Sequence, residues 1–127
     1  MKSKGTVLVV EDQEDWQDRA RSVLNGKGYE VLPAFCATSA IEIYRKYKVD
    51  SGLDLIITDM GLLGMDGAEL IKILRQKEGF QGPIAIVCGR PPYKPLMKEL
   101  GVFAWECKGS DCYEKILDAY EKISGNK

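Results

Sequence analysis

The chain has 127 residues, 45% hydrophobic and 29% charged, with a formal net charge of −1. That length suits one domain with its own core, taken as residues 1–127. The balanced charge gives no general electrostatic reason to bind nucleic acid or an anionic membrane, and no apolar run approaches the roughly 18 residues of a membrane-spanning helix.

Thr6–Val10 is a continuous apolar run, the pattern of a strand covered on both faces, and it ends in Glu11-Asp12. Trp16, Ala20, Val23 and Leu24 then recur at helical spacing until Gly26 and Gly28. Glu14 and Asp15 suit the positive end of that helix, but Glu11 and Asp12 precede it and need another explanation. Tyr29–Leu32 is a short strand expected to close at Pro33. Ala37, Ala40, Ile41 and Tyr44 mark a second helix, whose basic end (Arg45, Lys46, Lys48) is expected to be solvated.

Leu55, Ile56 and Ile57 form a third strand that carries Asp59 to its carboxyl end, followed by a Gly-rich loop to Gly67. Asp66-Gly-Ala-Glu69 reads as a capping box, so Asp66 is expected to be a helix cap rather than an active-site acid. The helix after it should bury Leu70, Ile71, Ile73 and Leu74. Ile84–Cys88 is a fourth strand. Beyond it Pro91, Pro92 and Pro95 exclude a long helix, since proline in a helix interior costs roughly 3 kcal/mol; two turns at most fit before Gly101. Val102–Cys107 is a fifth strand, ending at Lys108-Gly109. Ser110 is expected to cap a last helix with Tyr113, Ile116, Leu117, Tyr120 and Ile123 toward the sheet.

Five strands alternating with five helical segments give an α/β, doubly wound parallel sheet. No signal peptide is read in the basic start, Met1–Gly5, and the short apolar run after it. The cysteines at 36, 88, 107 and 112 form no CxxC, so they are expected to be reduced thiols in a cytoplasmic protein. Cys36 and Cys112 lie near helix starts but are expected to be inert. There is no histidine for a triad, a metal cage or a phosphohistidine.

In a parallel sheet the carboxyl ends of the strands share one edge, where ligands bind. Glu11-Asp12, Asp59 and Lys108 should therefore converge. Carboxylates within about 5 Å repel strongly at low dielectric, and an oxygen-only site suits Mg²⁺. A carboxylate beside such a metal can attack a phosphoryl group, and a lysine opposite can pair with its oxygens.

At these residues the sequence resembles response-regulator receiver domains of two-component signalling, over essentially the whole chain. Val7-Leu-Val-Val-Glu11-Asp12 is similar to the family's acidic pair. Asp59-Met-Gly-Leu-Leu-Gly-Met-Asp66-Gly67 is similar to its phosphoacceptor loop, and Gly101-Val-Phe-Ala-Trp-Glu-Cys-Lys108 to its last strand and lysine. The resemblance implies a flavodoxin-like, CheY-like three-layer sandwich with strand order 2-1-3-4-5. It implies that Asp59 takes phosphate from a histidine kinase or phosphotransfer protein, and that Lys108 contacts the phosphate. Mg²⁺ would be held by Asp12, Asp59 and the Gly61 carbonyl, with Glu11 assisting through water. An output domain or protein would read the result, without direct nucleic-acid binding or membrane attachment, and self-dephosphorylation would be the only catalysis.

Several residues depart from the family pattern. Cys88-Gly89 stands where Thr or Ser followed by Ala is usual, and a thiol is a poor donor. Trp105 takes the place of the switch Tyr or Phe, where it is read equally as a gate or as packing, with Cys107 alternating onto its face. Gly109 and Leu63 replace prolines. The segment between Cys88 and Lys108 is about two residues short of a typical receiver, and its prolines shorten the fourth helix. These departures support an alternative: an atypical receiver that serves as a protein-docking module with little phosphorylation-driven switching. GxGxxG and GxxxxGK[ST] are absent, which disfavours a nucleotide or dinucleotide binder.

Overall fold

The computed structural model describes residues 3–48 and 52–125. Met1 and Lys2, and the far end of the expected 1–127 domain, lie outside them. Five strands, β1 (Thr6–Val10), β2 (Glu30–Ala34), β3 (Leu55–Thr58), β4 (Ile84–Cys88) and β5 (Ala104–Cys107), pair in parallel in the order β2-β1-β3-β4-β5. The helices are α1 (Glu14–Gly26), α2 (Ala37–Tyr47), α3 (Gly67–Gln76), α4 (Lys94–Leu100) and α5 (Cys112–Ser124).

Side-chain alternation along the strands divides the interior into two cores. Leu8, Val10, Ile56, Ile84 and Ile86 meet Ala40 and Tyr44 of α2, Leu70, Ile71 and Leu74 of α3, and Leu100 of α4 on one face. Val7, Val9, Leu55, Ile57, Ala85 and Val87 meet Ala20 and Leu24 of α1 and Tyr113, Ile116 and Leu117 of α5 on the other. The continuous apolar strands have this cause: every residue of β3 and β4 is buried. The three-layer sandwich expected from the sequence is therefore present.

Four local expectations change. β2 runs through Pro33 to Ala34 rather than closing at Leu32. Glu30 donates to Gly5 and Ala34 accepts from Glu11, so residues 30, 32 and 34 bond β1 while 31 and 33 face the open edge. A proline on an edge strand loses no ladder bond there. β5 begins at Ala104, two residues late, because Gly101 turns the chain in a left-handed conformation (φ 68°) and Phe103 first contacts Ile84 through its amide. Ser110 does not cap α5; Asp111 holds that position without a side-chain cap bond. Ile123 is 59% exposed, one turn past Tyr120, where the packed face of α5 ends.

The basic end of α2 is tethered rather than merely solvated. Arg45 makes a forked ion pair with Glu78 (Nε–Oε1 3.0 Å, Nη2–Oε2 2.8 Å), tying α2 to the exit of α3. Asp66 caps α3 as expected, accepting from the Glu69 amide at 2.8 Å. α4 is seven residues long, with Pro95 in its first turn, where the missing N–H costs nothing.

Candidate functional site

Backbone pairing continues one residue past three strands and fixes the key side chains at one edge. The Glu11 amide donates to Ala34 (2.9 Å), that of Asp59 to Val10 (3.0 Å), and that of Lys108 to Cys88 (2.8 Å). The sheet thus carries each group to its place through main-chain bonds, and the side chains meet above it.

Lys108 Nζ lies 2.8 Å from Glu11 Oε1 and 3.0 Å from Asp59 Oδ2. Glu11 is 1% exposed and Asp59 8%, while Asp12 is half-buried at the rim. Glu11, Asp12 and Asp59 each offer an oxygen within 4.8 Å of the others. Burial raises the Glu11 pKa, against the opposing influence of Lys108 and of the Gln13 amide, which donates to Oε2 at 3.1 Å. Burial alone would lower that of Lys108, but its bonds to Glu11 and Asp59 outweigh burial and raise it. The ammonium therefore stays charged between two acids.

Three carboxylates facing one ammonium leave excess negative charge in an oxygen-only donor set. That composition fits a hard divalent cation such as Mg²⁺. Gly61 stands beside the cluster, its amide donating to Asp59 Oδ1 at 3.2 Å. Thr58 Oγ1 bonds the Asp59 carbonyl at 2.9 Å, which steadies the backbone that carries the acid.

The turn after Asp59 is held by Gly67, whose amide donates to Met60 O at 2.8 Å. A Cβ at Gly67 would collide with the Asp59 carbonyl oxygen and lie 2.9 Å from Met60 Cα. The glycine serves close backbone approach rather than an unusual φ.

Beside Asp59 a cleft is bordered by Met60, Cys88, Arg90, Tyr93 and Trp105. The Arg90 carbonyl accepts from both sides of it: from Trp105 Nε1 at 3.2 Å and from Cys88 Sγ at 3.5 Å. Trp105 is 6% exposed and joins the core under α4. It is thus packing and latch at once, holding the β4–α4 loop from within. Leu63, in place of a proline, is 77% exposed on the phosphoacceptor-like loop, and the Gly109 carbonyl accepts from Arg19 at 3.2 Å.

Two residues at the site were not singled out by their sequence pattern. The Trp16 ring sits 5.1 Å from Lys108 Nζ and 5.0 Å from the Arg19 guanidinium. Helical spacing accounts for Trp16 as a core residue; the usable signal was its place in the first turn after an acidic strand end. Gln17 is buried, and its Nε2 lies 2.9 Å from both Val9 O and Ala34 O, clasping the ends of β1 and β2. A lone polar residue in an amphipathic helix gives no such warning.

Comparison with known proteins agrees with this geometry. The family model described as "Response regulator receiver domain" matches residues 7–104. Sporulation initiation phosphotransferase F of Bacillus subtilis (strain 168) is 30% identical over 117 residues, which is 91% of this chain and 90% of that protein. Sensory transduction protein RegX3 of Mycolicibacterium smegmatis is 31% identical over 85 residues, 67% of this chain but only 35% of that longer protein. The structure of chemotaxis response regulator CheY4 of Vibrio cholerae superposes with a TM-score of 0.81 at 23% identity, covering 94% of this chain and 99% of that one.

Proposed function

The chain belongs to the response regulator receiver domain family, and from that premise we propose that Asp59 accepts a phosphoryl group from a phosphohistidine on a partner protein. The observation that carries this reading is the position of Lys108 Nζ, within 3.0 Å of both Glu11 and Asp59 at the ligand-binding edge of the sheet. An Asp59 carboxylate oxygen attacks phosphorus; the P–O bond forms as the P–N bond breaks, and the electron pair returns to the partner's imidazole. Lys108 then pairs with a phosphoryl oxygen in a charge-assisted bond. Because these 127 residues hold no histidine, the donor histidine lies outside them, on a histidine kinase or phosphotransfer protein.

Glu11, Asp12, Asp59 and the Gly61 carbonyl are the groups that would hold Mg²⁺, with Glu11 reaching it through water. When bound, the ion neutralises charge on the transferring phosphoryl group. Hydrolysis of its own aspartyl phosphate is the only turnover we assign. We place this exchange in the cytoplasm, and no described helix is long and apolar enough to cross a membrane.

One observation supports a second reading, a docking module with weak switching. Trp105 and Cys88 already hold the Arg90 carbonyl, and a thiol replaces the hydroxyl that would compete for phosphate. Titration of Mg²⁺ against tryptophan emission, followed by beryllofluoride, separates the two. The phosphoacceptor reading expects a Mg²⁺ response lost in Asp12→Ala and a further response to beryllofluoride; an unchanged Mg²⁺ affinity in Asp12→Ala would sink it. A beryllofluoride complex that leaves Trp105 emission unaltered favours the docking module.

A further inference from the structure

β4 and β5 both end in cysteine, and the ladder pairs these two directly: Cys88 stands opposite Cys107. Register partners in neighbouring parallel strands have Cα atoms about 4.8 Å apart, inside the roughly 4.4–6.8 Å window of a disulfide. Alternation puts both on one face. Ile86 and Cys88 lie with Trp105 in the same core, and Cys107 is two residues past Trp105.

The sulfurs also lie against two successive carbonyls of the loop after β4. Cys88 Sγ lies 3.5 Å from the Arg90 carbonyl oxygen, and Cys107 Sγ lies 3.6 Å from that of Gly89. Cys107 is close enough to influence the ionisation of Cys88, which burial raises first of all. Their exposure differs: Cys107 is open to solvent and Cys88 is 3% exposed. An accessible thiol therefore stands beside a sheltered one.

We propose that Cys88 and Cys107 form a reversible disulfide across the β4–β5 ladder, with hydrogen peroxide as the oxidant class. The Cys107 thiolate attacks one peroxide oxygen; the S–O bond forms, the O–O bond breaks and hydroxide leaves, taking up a proton as water. Cys88 sulfur then attacks the Cys107 sulfenic acid. The S–S bond forms, the S–O bond breaks, and the departing hydroxide takes the Cys88 proton. Two thiols and one peroxide become one disulfide and two waters.

The other cysteines do not compete in the folded chain. Cys112 belongs to the opposite core, under α5, and Cys36 caps α2, accepting from the Ser39 amide at 3.5 Å. The bond would remove the Cys88 contact to Arg90 and fix the residue next to Lys108. That consequence rests on the phosphoacceptor reading; the bond itself does not.

The test oxidises the whole folded chain with hydrogen peroxide, alkylates the remaining thiols and digests with trypsin, which does not cut before Pro91 or Pro95. The expected product joins the peptide 78–98 to the peptide 99–108, lighter by two hydrogens. Cys36 and Cys112 are alkylated, and dithiothreitol reverses the link. Cys107→Ser should yield no such product while keeping the native circular dichroism spectrum. Recovery of Cys88 and Cys107 as alkylated thiols while Cys36 is oxidised overturns the proposal, as does a set of linkages identical to that formed in denaturing urea. Phosphate uptake is measured on the reduced and oxidised chains separately. If neither takes up phosphate, the phosphoacceptor reading fails, and the linked peptide still decides the disulfide.

Discussion

Lys108 joins two acids from the far strand of the sheet, and its loss defines the first prediction. In Lys108→Ala a buried Glu11 carboxylate remains without its cation, which costs roughly 3 kcal/mol. Burial raises Glu11 and Lys108 opposes that rise, so the substitution lifts the folded-state pKa further above its unfolded value of about 4.3. The deficit is therefore full above that raised pKa and shrinks as the pH falls through it, a trend readable in urea midpoints across acid to neutral pH. At Cys88, Cys88→Thr supplies a hydroxyl donor to the Asp59 cleft. A bond to a charged group is worth roughly 1.5–3 kcal/mol, or about ten- to 150-fold in a two-state equilibrium. Trp105 emission should then respond more strongly to phosphorylation, and an unchanged response would remove Cys88 from the switch. Glu11, Asp59 and Lys108 were legible because apolar strands ended in ionisable groups that no helix or core required. Trp16 was not, since its helical spacing already accounted for it.

The elements place those residues through turns whose geometry is tight. Gly67 opens α3 directly against the Asp59 carbonyl, so Gly67→Ala must push the Asp59–Met60 turn aside. Overpacking of this kind costs about 1–3 kcal/mol, measured as a lower urea midpoint together with weaker Mg²⁺ binding. The α2–α3 tether makes a pH-dependent contribution. Arg45 holds the Glu78 carboxyl below its usual range, so that stability is present above the unfolded pKa of about 4.3 and is lost as the pH falls through the lower folded value. Arg45→Ala should thus melt below the wild type at neutral pH, and the gap should close in acid. A gap independent of pH would show that the pair acts through packing alone. Strand and helix order was legible from periodicity, and the brevity of α4 from its prolines. The course of β2 through Pro33 was not, because the harmlessness of a proline depends on which side of the strand is an edge. That fact belongs to the sheet, not to the segment. The same holds for the Arg45–Glu78 pair, whose members are 33 residues apart.

Across the whole molecule, one sheet with two cores brings the ends of β1, β3 and β5 to a single edge. The departures at Cys88, Trp105 and Gly109 lie on the β4–β5 side and Leu63 on the loop after β3, while Glu11, Asp12 and Asp59 meet at the ends of β1 and β3. Lys108, at the end of β5, joins the two sides through its pairs with Glu11 and Asp59. Phosphate uptake from a small phosphodonor addresses the phosphoacceptor reading directly. Incubated with the phosphodonor and Mg²⁺ and then digested, the chain should carry one hydroxylamine-labile phosphoryl group on the peptide containing Asp59, absent without Mg²⁺ and absent in Asp59→Asn. No uptake by the native chain, or undiminished uptake by Asp59→Asn, would contradict the account.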